Sequence, residues 1–175
     1  MPSTALSPAG RRLVTTFGLG LMRPASGTWG SLPSVVLAGV LIACGWRPSG
    51  AGALASAGYH AVMLGVLAVF TLACIVYGDA AEAAFGKKDP GQIVADETAG
   101  QCLPLLALPA AATLGLPHAL GTLALAFVAF RAFDVLKLWP ARGLQRVPGG
   151  WGVVLDDLVA GVQAAVVVQA VARVW

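Results

Sequence analysis

The sequence predicts an all-α, membrane-associated helical bundle of about four to six helices, with its polar chemistry gathered at the cytoplasmic membrane interface. Three observations predict it. Hydrophobic residues make up 58% of the 175 and charged residues 11%, giving a mean hydropathy of +0.81, far from the balance of a soluble domain. The apolar residues are gathered into runs separated by breaks rich in Gly, Pro or charge. The 11 basic residues extend from Arg11 to Arg173, whereas all 8 acidic ones fall between Asp79 and Asp157. Acids placed for general solubility would be scattered, so these belong to a few local constellations.

The length suits a single domain over residues 17–175, preceded by a flexible N-terminal lead over 1–16. Residues 17–34, FGLGLMRPASGTWGSLPS, hold Gly18, Gly20, Gly27, Gly30, Pro24 and Pro33 and read as an irregular loop. The apolar run over 35–46 is short for a span of roughly 20 residues, and 47–52 is a turn. The run over 57–77 is long enough to cross a bilayer. Residues 79–101 are a polar interlude, with Asp79 and Glu82 one turn apart on a helix end and a turn at Gly86-Lys87-Lys88-Asp89-Pro90-Gly91. Asp96 and Glu97 open the next helix, where the dipole favours acids. Pro104, Pro109 and Pro117 break the stretch 103–116, predicting a kinked or re-entrant segment. Residues 118–133 form a cleaner helix, and the last helix runs from about Val153 to Arg173.

Pairing 35–46 with 57–77 and 103–116 with 118–133 as hairpins puts Arg11, Arg12, Arg23, Lys87, Lys88, Arg142 and Arg146 on one side. That side is the cytoplasm by the positive-inside rule. A net charge of +3 suits an anionic membrane surface and gives no support to nucleic-acid binding. Cys44, Cys74 and Cys102 lie in apolar runs without a C-x-x-C pattern, so they read as buried hydrophobes rather than disulfides or zinc ligands. The N-terminus has no signal-peptide core, so the spans themselves direct insertion.

Chemistry concentrates between Phe130 and Asp157. Arg131, Asp134 and Lys137 step by three on a helix and share one face. A salt-bridge ladder is the plain alternative, but the neighbours Phe130, Phe133, Leu136, Leu138 and Trp139 leave little open solvent there. A guanidinium fork beside an ammonium suits a phosphoryl group. Asp156 and Asp157 serve either as helix N-terminal acids or, being adjacent and mutually repulsive, as oxygen ligands of a hard cation. Asp96-Glu97 offers the same chemistry. Ser26, Thr28 and Ser31 offer hydroxyls to an anion or to helix caps. The thiolate-phosphatase pattern, a Ser-Gly-His sequence and a P-loop are all missing; acids for a divalent metal with bases for phosphate fit metal-assisted displacement at phosphorus, and by themselves do not separate hydrolysis from transfer or transport.

Three blocks, GLGLMRPASGTWGSLPS, GKKDPGQIVADETAGQ and FRAFDVLKLWPARGLQRVPGGWGVVLDDLVAG, together resemble the phosphatidylglycerophosphatase A family from Phe17 to Gly161. The family's D-E-x-x-G falls on Asp96, Glu97 and Gly100. Its F-R-x-F-D-x-x-K-x-x-P falls on Phe130, Arg131, Phe133, Asp134, Lys137 and Pro140. Its G-G-x-G-x-x-x-D-D-x-x-A-G falls on Gly149, Gly150, Gly152, Asp156, Asp157, Ala160 and Gly161. In the P-G-T-x-G-S loop, Gly27, Thr28, Gly30 and Ser31 match and Ser26 replaces the proline.

The resemblance implies an integral, Mg²⁺-dependent phosphatase of the bacterial inner membrane, facing the cytoplasm, that converts phosphatidylglycerophosphate to phosphatidylglycerol. On that reading Asp96, Glu97, Asp156 and Asp157 hold Mg²⁺, Arg131, Lys137 and Thr28 bind phosphate, and Asp134, Asp96 and Asp157 are catalytic. An ion-coupled carrier using the same charges is the rival, but the span 57–77 carries no charge at all. A non-catalytic subunit of a lipid-synthesis complex would tolerate Asp157→Asn.

Overall fold

A computed structural model of the chain describes residues 5–144 and 147–174, so Arg146 and the first four residues of the expected lead lie outside it. The described residues are helical, with no strand among them. Four helices are long and apolar enough to cross a membrane: α2 (Ser26–Ala43), α3 (Ala53–Phe85), α5 (Leu116–Leu136) and α7 (Gly150–Val171). Shorter helices are α1 (Pro8–Val14), α4 (Ala95–Gly100) and α6 (Ala141–Leu144). The long helices expose Leu54, Val76, Val128 and Val166 outward, as a lipid-facing surface requires.

The beginnings of α2 and α7 meet the ends of α3 and α5 at one end of the bundle, hereafter the site end. Close approach there depends on glycine. A Cβ on Gly78 of α3 would lie 2.6 Å from the Gly150 Cα of α7, so the two backbones touch. The core below is built from Tyr59, Met63, Leu105, Phe130 and Val168, all fully buried.

Several sequence expectations differ from the structure, among them Cys44, read as a buried hydrophobe but exposed just past the end of α2. The lead expected over 1–16 is, from Pro8 onward, a helix packed on the bundle. The Ser7 hydroxyl caps it by accepting from the Gly10 N–H at 3.0 Å, and Pro8 occupies the first helical position. Val14 is fully buried, and its carbonyl accepts from the Val94 N–H at 2.9 Å.

The irregular loop expected over 17–34 ends at Ala25, and α2 runs straight through Gly27, Gly30 and Pro33. Each glycine weakens a helix by roughly 1 kcal/mol, less than several unpaired backbone groups would cost in an apolar setting. Gly27 and Gly30 are contact points rather than breaks: a Cβ on Gly30 would stand 3.0 Å from the Val94 carbonyl oxygen.

The stretch 103–116 is neither a helix nor half of a helical hairpin. It is an irregular strap with single 3₁₀ turns at Leu103–Leu105 and Ala110–Thr113, leading from α4 to the start of α5. Non-helical backbone at this depth persists where protein groups satisfy it. The Tyr59 hydroxyl donates to the Leu105 carbonyl (3.0 Å) and the Ser49 hydroxyl to that of Leu108 (2.8 Å). Gln169 Nε2 serves Leu106 (3.1 Å) and Ala107 (2.9 Å), and the Thr122 hydroxyl serves Ala112 (2.9 Å).

Candidate active site

Helix α4 is held against α2 by buried hydroxyls. The Thr98 hydroxyl donates to the Gly30 carbonyl (2.7 Å), and the Ser34 hydroxyl donates to the Thr98 carbonyl (2.7 Å). This fixes Asp96 and Glu97, in the first turn of α4, facing the middle of the site end. Helix α7 starts at Gly150, three residues before the expected start. Asp156 and Asp157 therefore lie beyond its first turn, where the helix dipole contributes little. The dipole alternative for that pair loses its geometry.

Asp96, Glu97 and Asp157 each present an oxygen within 4.8 Å of the other two. Asp96 is 6% and Asp157 3% exposed. Asp96 Oδ1, Glu97 Oε2 and Asp157 Oδ2 are buried with no hydrogen-bond donor. Burial, then the charges of Glu97 and Asp157, push the Asp96 carboxyl well above the usual carboxylate range. Burial also raises Glu97, against the pull of its hydrogen bond to Asp96 and of Arg131. Three orphaned acceptors converging on one point are a poor arrangement by themselves. They fit a hard cation, which takes oxygen ligands and neutralises the repulsion.

The last turns of α5 bring the cations. Arg131 Nη1 stands 2.6 Å from Asp134 Oδ2 and 3.9 Å from Glu97 Oε1. The same nitrogen has no aligned hydrogen-bond acceptor, so donor capacity remains at the acid cluster. Lys137 terminates α5 in the left-handed region (φ 46°), which turns its side chain back over the site. Its Nζ pairs closely with Asp156 Oδ2 and lies 4.0 Å from Asp134 Oδ1. Burial alone would lower the Lys137 pKa. The Asp156 hydrogen bond and charge, with Asp157 and Asp134, outweigh it and hold the ammonium above the ordinary lysine value.

Of the sequence-predicted site residues, Asp96, Glu97, Asp157, Arg131, Asp134 and Lys137 thus converge. Asp156, grouped in the sequence with the metal acids, faces Lys137 instead. Thr28 lies in the first turn of α2, and among the described residues its hydroxyl makes no hydrogen bond. Asp79 stands against the start of α7, where a Cβ on Gly149 would be 2.8 Å from its Oδ1.

Two participants were not singled out from sequence. A Cβ on Gly27 would lie 2.8 Å from both terminal guanidinium nitrogens of Arg131 and would collide with Glu97 Oε1. The match of Gly27 and Thr28 to the family's loop held that signal, but only the fold reveals what the glycine faces. Asp89, assigned to a turn, is close enough to Lys137 and Asp156 for their charges to act on it. Its N–H donates to Glu82 Oε1 at 2.8 Å.

Acids that could hold a cation, set beside a guanidinium and an ammonium that could meet an anion, form an arrangement suited to phosphoryl chemistry. Comparisons with known proteins agree with this chemistry. The family model described as Phosphatidylglycerophosphatase A matches residues 12–172. A Phosphatidylglycerophosphatase A of Haemophilus influenzae is 33% identical over 166 residues, covering 91% of this chain and 86% of the relative. The protein of that name from Escherichia coli K12 is also 33% identical, over 164 residues, covering 93% and 83%. No solved structure matches the chain. The match over nearly the full length, with the acids and bases of the second and third motif blocks gathered beside Gly27 of the first, establishes that this chain belongs to the phosphatidylglycerophosphatase A family of phosphatases.

Proposed function

We propose that the chain hydrolyses the terminal phosphomonoester of phosphatidylglycerophosphate, giving phosphatidylglycerol and inorganic phosphate, with Mg²⁺ held by Asp96, Glu97 and Asp157. The observation that carries this reading is the convergence of Asp96, Glu97 and Asp157, each with one buried oxygen that lacks a hydrogen-bond partner, beside Arg131. The cluster is all oxygen, without His or Cys, which suits Mg²⁺ over softer ions. When bound, the cation supplies Lewis-acid polarisation of the phosphoryl group and acidifies water beside it.

The residues do the rest. Arg131 binds two phosphoryl oxygens and Lys137 a third, neutralising charge as it builds on them. Asp134 contacts both cations and aims them. Asp156 holds Lys137 in place over the site. Thr28, on the turn beside Gly27, donates its hydroxyl to the phosphate. A carboxylate of the Asp96 and Asp157 pair takes the proton of the attacking water and returns it to the leaving glycerol oxygen as the phosphorus–oxygen bond breaks.

The orientation follows from charge. Arg11, Arg12, Arg23, Lys87, Lys88 and Arg142 flank the site end, whereas Arg47 and Arg173 lie at the opposite ends of α2 and α7. Positive-inside insertion into a bacterial inner membrane turns the site to the cytoplasm. A carrier would need ionisable groups along a path through the bundle, and the charges gather at one end instead.

Purified protein should release phosphate from phosphatidylglycerophosphate with Mg²⁺ and stop with chelator. Release unaffected by chelator would remove the metal assignment. No release under either condition would remove the substrate.

A further inference from the structure

A second basic cavity lies beside this cluster, on the other side of the first turn of α2. It has a volume of about 490 Å³ and is bounded by the turn before α2 and the loop after α3. Arg23, Lys87 and Ser26 line it together with Leu21 and Met22, and no carboxylate does. Neither Arg23 nor Lys87 has an ion-pair partner among the described residues, unlike Arg131 and Lys137. Residue Ala25, preceding α2, supplies no side-chain acceptor to the free N–H groups of that helix start.

Resting on the function proposed above, we propose that this cavity is a second anion subsite, which binds the phosphodiester of the lipid substrate while the terminal phosphomonoester sits at Arg131 and Lys137. The chemistry of the substrate demands two such places. A phosphatidyl group is joined to glycerol through a phosphodiester, and the glycerol carries the second phosphate three carbons away. The protein offers two cationic sites reached from adjacent residues: Ser26 lines the cavity, and Gly27 abuts the guanidinium of Arg131.

The cavity also joins the two characters of a lipid phosphodiester: beside its cations, the lining includes Leu21 (52% exposed) and Met22 (40%). Exposed apolar side chains next to cations suit the boundary between a head group and the first carbons of its acyl chains. A site for free phosphate would gain nothing from them.

The test is the Arg23→Ala/Lys87→Ala double variant, assayed in neutral-detergent micelles on phosphatidylglycerophosphate and probed with inorganic phosphate as a competitive inhibitor. Both side chains are exposed, so the fold should tolerate the change. Losing two charge-assisted contacts should raise KM by about 10–100-fold with kcat little changed. The inhibition constant of phosphate, which reports on the phosphomonoester site alone, should stay within about twofold of the parent, less than one charged contact is worth. An Arg12→Ala/Arg142→Ala variant removes equal charge at the same end and should leave KM unchanged. An unaltered KM in the Arg23/Lys87 variant would overturn the subsite. Phosphate inhibition weakened in step with KM would also overturn it, since the cations would then serve the phosphomonoester. Inactivity of the unaltered protein toward the lipid would instead remove the parent reading, and this one with it.

Discussion

Gly27→Ala tests whether α2 sets the position of Arg131. The added methyl would stand 2.8 Å from both Nη1 and Nη2 of Arg131, and closer still to Glu97 Oε1. Van der Waals contact needs roughly 3.5 Å, so the guanidinium, the carboxylate or the helix must retreat by about 0.7–1.2 Å. As a helix substitution the change is favourable, by roughly 0.5–1 kcal/mol. The protein should therefore remain folded while its site is displaced. A misplacement of about 1 Å costs on the order of 10²-fold in rate, close to 2.7 kcal/mol of transition-state stabilisation. The assay is kcat/KM on lipid substrate alongside thermal unfolding in detergent. Gly65→Ala is the control, because nothing lies within 4 Å of its Cβ position. If Gly27→Ala kept the parent rate and the parent melting temperature, the contact between α2 and the guanidinium would not be what positions it.

Other substitutions separate the remaining roles. Asp157→Asn should lower kcat by about 10²–10³-fold. It should also raise the unfolding temperature in chelator, by removing one like charge from a buried trio, and abolish any stabilisation by Mg²⁺. Lys137→Gly suits the left-handed backbone at that position but removes the ammonium from the site, so activity should fall about 10²-fold. Lys137→Arg should restore part of it. Tyr59→Phe should cost about 1–3 kcal/mol in unfolding by orphaning the Leu105 carbonyl, with kcat unchanged.

The parts legible in the sequence were those governed by local spacing. Arg131, Asp134 and Lys137 share a face because a helix repeats every three to four residues, and they do meet. Asp156 and Asp157 carry the opposite lesson. Consecutive helical residues point about 100° apart, so one reaches the acid cluster and the other reaches Lys137. Composition marked Gly27 and Gly30 as breakers, since propensity carries no information about what a helix packs against. The prolines of 103–116 announced the interruption correctly. What stabilises it comes from Tyr59, 46 residues before Leu105, and Gln169, 62 residues after Ala107. Such distant partners leave no local trace.

Helix α3 is 33 residues long, or about 50 Å, against a hydrocarbon layer of about 30 Å. With the reactive centre where we propose it, the surplus would tie its height to the thickness of the host bilayer. Where acyl chains are too long or too short, hydrophobic mismatch would tilt the protein or deform the lipid around it, shifting the phosphate plane relative to Arg131. Turnover in reconstituted vesicles should therefore peak at one chain length and decline on either side, making the enzyme a gauge of the membrane whose lipid it helps to make.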